Sequence, residues 1–304
     1  MGRIADPHHA TLKEITPVTT LPPAFTSAET GEANLPLLGA AVWDIDTLPI
    51  VRDWLIDGQR DLEIGTPGEW QRLADKALLA ERATFLREQL SGWTGRLGVH
   101  GPFVGMTIAS PDPEIQAVST KRFLEAAQWA AEVGAKHMVV HSPFVAFGHA
   151  FMMPPVAELK PTIDAIHATL DPVVRFAETA DLKIVIENIQ DTSTAGVLAT
   201  AASFDSPHLR LSVDVGHAHL MLQRGGIPAS RWIDETAPYL AHLHLTDNDG
   251  VYDRHWAPGD GELKWYGIMA SIARLTTNPT IHLEIHPKDV VRAFDYLTSR
   301  TLAR

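Results

Sequence analysis

"KRFLEAAQWAAEVGAKHMVVH", residues 121–141, contains one full round of the pattern on which the chain is built. From 121 to 134 the apolar residues recur three and four apart, which is the spacing of an amphipathic helix, and Gly134 can take the left-handed backbone that ends one. KHMVVH (136–141) follows, a short β-branched, apolar run that reads as a buried strand and ends on His141.

The same unit of strand, polar loop and helix recurs outward from this stretch. The strands expected are LLGAAVW (37–43), DLEIG (61–65), RLGVHG (96–101), KHMVVH (136–141), KIVIEN (183–188), LRLSVDV (209–215), LAHLHL (240–245) and TIHLEI (280–285). Helical spacing is also clear over 69–90 and 158–180. Eight alternating units imply an α/β protein with a single (β/α)8 TIM barrel over residues 35–304, because an open doubly wound sheet has no reason to stop at eight. GAAVWDID (39–46) has no glycine-rich phosphate fingerprint, which weakens a dinucleotide-binding sheet. Residues 1–34, rich in Pro, Thr and Ala without either period, read as an irregular or disordered N-terminal extension.

Composition narrows the chemistry. The 304 residues contain no cysteine, so disulfides, thiolate metal sites and cysteine nucleophiles are excluded, and any metal must be held by His, Asp or Glu. A formal charge of −12 argues against an electrostatic grip on nucleic acid. No apolar run approaches the roughly 18 residues of a membrane span, and the N-terminus lacks the apolar core of a secretory signal, so the expectation is a cytoplasmic protein.

In such a barrel the chemistry sits at the C-terminal strand ends and the loops after them. Here those places carry His100, His141, Glu187, Asp214 with His217, His244 and Glu284, and the loop after the seventh strand adds Asp253 and His255. Each has an ordinary reading alone, as a hydrogen-bonded rim residue or, for Asp214, a helix N-cap. Six successive strands ending this way are harder to explain, since uncompensated buried carboxylates are costly and a bound cation relieves that cost. By strand alternation His242 and His282 point inward beneath His244 and Glu284, as an interior layer that could orient ligands, and His137 sits deep below His141. His8, His9, His149, His167, His208 and His219 are read as surface or packing residues. Trp43, Phe103, Phe144, Trp256 and Trp265 fall near the expected mouth, where flat apolar faces suit a sugar ring.

From about Leu37 to the C-terminus the chain resembles the xylose-isomerase-like TIM-barrel superfamily, which includes metal-dependent sugar isomerases and epimerases and the endonuclease IV type of abasic-site nuclease. The likeness rests on HGPF (100–103), VVH (139–141), IEN (186–188), DVGH (214–217), LHLTD (243–247), DRH (253–255) with GDG (259–261), and LE (283–284), in this order after successive strands. For the epimerase branch it implies one divalent ion (Mn, Zn, Co or Mg) on Glu187, Asp214, His244 and Glu284. The two glutamates would move a proton through a metal-stabilised enediolate, and His217 would bind a substrate oxygen. The nuclease branch implies up to three zinc ions, with His100 and His141 joining Glu187 at one, and His217, Asp253 and His255 holding another. The loop after the seventh strand would then fold back over the mouth.

LTDND (245–249) and DRHWAPGDG (253–261) depart from the nuclease pattern, as does Ser-Pro-Phe after His141. The expected function is therefore a metal-dependent sugar, sugar-phosphate or polyol-ketone isomerase or epimerase. The alternatives are an endonuclease IV-like phosphodiesterase on abasic DNA and a metal-dependent lyase or hydrolase on a modified sugar. The partner expected is a small carbohydrate, with no membrane and no nucleic acid; relatives that form dimers or tetramers leave a homo-oligomer open.

Overall fold

Eight short strands run parallel and pair in sequence order: β1 (Gly39–Val42), β2 (Leu62–Gly65), β3 (Leu97–His100), β4 (His137–His141), β5 (Lys183–Glu187), β6 (Leu209–Asp214), β7 (Leu240–Leu245) and β8 (Thr280–Leu283). β8 returns to β1 through Gly39 opposite His282 and Ala40 opposite Leu283, closing the barrel. The structure is a computed structural model that describes residues 35–67, 73–144 and 159–304. The expected extension over 1–34 lies outside the described residues, as do His8, His9 and His149.

Each strand is apolar because both its faces are buried, the inner by the barrel interior and the outer by helices. Met138, Val140, Ile184, Ile186, Leu211, Val213, Leu243 and Leu245 are all buried and belong to one continuous apolar core. The helices are α1 (Arg52–Asp57), α2 (Lys76–Gln89), α3 (Pro113–Glu132), α4 (Lys160–Thr179), α5 (Ala195–Phe204), α6 (Val215–Leu222), α7 (Ala229–Thr236), α8 (Trp265–Ala273) and α9 (Val290–Thr298). Among the described residues no helix is long and apolar enough to cross a membrane.

Two helix starts differ from expectation for local reasons. α3 begins two turns earlier than Lys121, because Asp112 accepts from the backbone N–H groups of Glu114 (2.8 Å) and Ile115 (3.4 Å) and Pro113 supplies a preset first turn. α2 begins at Lys76, where Asp75 accepts from the Leu78 N–H at 3.1 Å; residues 69–72 of the expected helix are outside the described residues. At the other end of α3, Gly134 has φ +81°, as a C-terminal glycine should.

Strand register decides which side chains meet. Glu187 lies opposite His141, and Asp214 opposite His244, so neighbouring strands deliver their end residues side by side. A register shift between Leu211 and Ser212 skips one residue of β7 and sets Ser212 opposite His242.

Candidate metal centre at the barrel mouth

Glu187 and Asp214 are the last residues of β5 and β6, His244 is the last but one of β7 and Glu284 directly follows β8, and all are at least 98% buried. One ligand-type atom from each lies within 4.8 Å of the others. His244 Nδ1 is 2.9 Å from Glu187 Oε1 and 3.4 Å from Glu284 Oε2. Asp214 does two things at once: its Oδ1 caps α6 by accepting from the His217 N–H at 2.6 Å, while Oδ2 is left for the cluster.

Three carboxylate oxygens here, Glu187 Oε2, Asp214 Oδ2 and Glu284 Oε2, are buried with no hydrogen-bond partner. Buried carboxylate oxygens without donors are costly, and a divalent cation among them removes the cost, so the donor set of three carboxylates and one imidazole fits such an ion. The remaining nitrogen of His244 is also occupied, with Nε2 2.8 Å from Glu63 Oε1. Glu63 lies on β2, is 1% exposed, and is not among the residues expected from the sequence. The only sequence signal is an acid in the middle of an otherwise apolar strand.

The flanking histidines have their rings oriented by backbone carbonyls. His100 Nδ1 donates to Gly101 O at 2.9 Å, which leaves Nε2 3.5 Å from Glu187 Oε2 and 3.3 Å from His141 Nε2. His100, His141 and Glu187 thus form a second group whose ligand atoms lie within 4.8 Å of one another. His217 Nδ1 donates to Asn188 O (3.0 Å) and His255 Nδ1 to Glu284 O (2.9 Å). Their Nε2 atoms both face Asp253 Oδ2, at 3.2 and 3.0 Å. The loop after β7 does fold back over the mouth, and His255 takes φ +47° to turn inward, a costly conformation for a residue other than glycine.

Electrostatics follow from this crowding. Burial alone would raise Glu187, but His244 and His100 hold it well below the ordinary carboxylate range. Burial lifts Glu284 to about 7, with Glu187 and Asp214 adding to the effect. Burial would push His244 down, yet Glu284, Glu63 and Glu187 hold it well above the usual histidine range. For His141 burial wins, with help from His100, and lowers it to about 3.

The rest of the crowded loop is architectural. Asp247 is fully buried and accepts four hydrogen bonds, from the N–H groups of Asn248 (2.9 Å) and Leu263 (3.1 Å) at Oδ1, and from Gly259 N–H (2.9 Å) and Trp265 Nε1 (2.8 Å) at Oδ2. Asp249 pairs with Arg254 and Asp260 with Arg292 on the surface. Of the five aromatic residues expected near the mouth, Trp43, Phe103 and Trp256 are partly exposed, whereas Phe144 and Trp265 are buried. Trp43 packs on His100 and Phe103 stacks on His141, so these two rings wall one side of the cluster.

A family model described as "Xylose isomerase-like TIM barrel" matches residues 62–300. Fructoselysine 3-epimerase of Escherichia coli O157:H7 is 26% identical over 109 residues, 34% of this chain and 38% of that protein, so the match spans little more than a third of the relative. Among solved structures, a D-tagatose 3-epimerase-like protein superposes with TM-score 0.69 at 19% identity, covering 86% of this chain and 96% of that one. The TTHB071 protein of Thermus thermophilus, soaked with ZnCl2, superposes with TM-score 0.65 at 25% identity, covering 86% and 98%.

Proposed function

The chain belongs to the xylose isomerase-like TIM-barrel family, and from that premise we propose that it is a divalent-metal-dependent sugar isomerase or epimerase. The observation that carries the reading is the set of three unpartnered, buried carboxylate oxygens around His244 at the C-terminal mouth. The similarity to fructoselysine 3-epimerase and to a D-tagatose 3-epimerase-like fold supports a carbohydrate carrying a carbonyl as the substrate class.

Glu187, Asp214, His244 and Glu284 would hold the ion, which when bound polarises a substrate carbonyl and offsets negative charge building on its oxygen. The work of moving the proton falls to the chain. Glu187 and Glu284 sit on β5 and the end of β8 with opposite tendencies: His244 and His100 keep the first ionised, and burial favours the protonated form of the second. Two carboxyls pushed apart in this way suit a base and an acid that take a proton from the carbon beside a carbonyl and return one. His217, held through Nδ1 by Asn188 O and with Nε2 3.2 Å from Asp253 Oδ2, would bind a substrate oxygen at Nε2. Trp43 and Phe103 offer apolar faces for the C–H side of a sugar and keep water away from the reacting carbon.

The test is exchange of the carbon-bound proton of a ketose with deuterated solvent, followed by NMR in the presence of Mn, Co, Zn or Mg. Exchange abolished by Glu284→Gln, with metal content and circular dichroism unchanged, supports the reading; exchange that survives the substitution removes Glu284 as a proton carrier.

A second reading is favoured by the His100–His141–Glu187 group and by Asp253 joining His217 to His255: an endonuclease IV-like, multi-zinc phosphodiesterase. Efficient zinc-dependent nicking of an abasic-site duplex would establish it over the first.

A further inference from the structure

Below the mouth, one layer down the barrel, lies a second convergence of ligand-type side chains that the epimerase reading does not use. Glu63, His137, His242 and His282 are each at least 97% buried, and each brings one ligand atom within 4.8 Å of the others. His137 Nε2 is 2.9 Å from Glu63 Oε2, His242 Nε2 is 3.1 Å from the same oxygen, and His242 Nε2 is 3.0 Å from His282 Nδ1. We propose that these four residues form a closed second metal site that takes a zinc-class divalent cation in the barrel interior.

Four observations carry this. The first is spacing: ligands at about 2.0–2.1 Å around a tetrahedral zinc lie roughly 3.3 Å apart, so the three close separations need to open by only a few tenths of an ångström, while the remaining ones lie within 4.8 Å. Second, three imidazoles and one carboxylate suit a zinc-class ion, and the absence of any position open to solvent is the closure of a structural site. Third, Ser212 Oγ lies 2.7 Å from His242 Nδ1, an outer partner of the kind that turns the other nitrogen of a ligating histidine toward its ion. The register shift between β6 and β7 is what places Ser212 there. Fourth, the fold leaves room: a Cβ on Gly98 of β3 would come within 2.1 Å of the His137 ring, so only glycine lets that imidazole lie flat across the neighbouring strand.

Glu63 ties the two layers together, with Oε1 on His244 and Oε2 in the deep cluster. If His244 gives Nδ1 to an ion at the mouth, it is neutral. The buried Glu63 carboxylate then faces only imidazoles, and a cation in the deep cluster offsets its charge. The competing arrangement is metal-free: Ser212 donates to His242 Nδ1, and His242 Nε2–H donates to Glu63.

The full chain, expressed in zinc-supplemented medium and crystallised without added metal, separates the two arrangements. Anomalous difference maps above and below the zinc edge should place a peak among Glu63 Oε2, His137 Nε2, His242 Nε2 and His282, distinct from any peak at the mouth. Peaks at the mouth alone, or no peak, overturn the inference. A His137→Gln/His282→Gln double variant should contain one zinc fewer per chain than the wild type; an unchanged count also overturns it, and if that variant does not fold the wild-type map decides alone. Neither readout depends on turnover, so a failure of the epimerase reading leaves this result interpretable.

Discussion

The imidazole of His244 joins two carboxylates on opposite sides of the barrel: Nδ1 is 2.9 Å from Glu187 Oε1 and Nε2 is 2.8 Å from Glu63 Oε1. A histidine held this way has its ring plane fixed before an ion arrives, and once an ion replaces the proton on Nδ1 the Glu63 carboxylate behind Nε2 makes the facing nitrogen a better donor. Glu63→Gln keeps a hydrogen-bond acceptor but removes the charge. If the mouth holds a divalent ion as proposed, its affinity should fall about 10–100-fold, measured by chelator competition with catalytic turnover as the readout. An unchanged affinity would reduce Glu63 to a packing residue.

Asp247 anchors the loop that carries Asp253 and His255, and all four of its partners are donors. Asn at this position turns one acceptor oxygen into an NH2 group that faces two N–H groups. Asp247→Asn should lower stability by about 3 kcal/mol, seen in urea unfolding. It should also weaken substrate binding more than metal binding, because Asp253 and His255 on this loop meet His217 and the Glu284 backbone at the mouth.

These two aspartate and glutamate positions mark the limits of what is legible in the sequence. Every strand can be placed, because a parallel barrel buries both faces and its strands stand out as β-branched runs between polar loops. The mouth residues can be placed because strand ends are where such a barrel collects polar groups. Glu63 cannot be singled out, since its significance depends on β2 facing β7 across the barrel, a relationship between residues 181 apart in sequence. His242 and His282 are expected to orient ligands, and they act one step removed: Glu63 meets the nitrogen of His244 that faces away from the mouth, His242 lies 3.1 Å from Glu63 Oε2, and His282 lies against His242. Asp247, Asp249, Asp253 and Asp260 look equivalent in sequence. Burial separates them into a loop anchor, a partner of the site histidines and two surface ion-pair members.

Metal removal should loosen the barrel mouth. Glu187, Asp214 and Glu284 are buried together, and without an ion their unpartnered oxygens stand against folding. Supplying a divalent ion at about 100 times its dissociation constant should add about 2.7 kcal/mol of stability. That is a rise in thermal midpoint of roughly 5 °C or more for a domain of this size, followed by calorimetry with and without chelator. Asp214→Asn should remove the part of the metal-dependent shift that the mouth contributes.

A pH effect separate from the mouth comes from Asp191. Burial pushes its carboxyl up to about 6, even though Ser142 Oγ donates to it at 2.7 Å and the Ile189 N–H at 3.0 Å. In the unfolded chain the same group titrates near about 3.9. Because the folded value is the higher one, the native state binds the proton more tightly. The wild type therefore gains stability as pH falls through about 6, and loses it as pH rises. In Asp191→Asn the amide oxygen can still accept from Ile189 N–H and the NH2 group can donate to Ser142 Oγ, so the titration disappears while the contacts persist. Between pH 7.5 and pH 5 the wild type should gain about 1.4 kcal/mol relative to the variant, read as the difference between their urea midpoints. A difference that stays flat across that range would mean the carboxylate remains ionised at this site despite its burial.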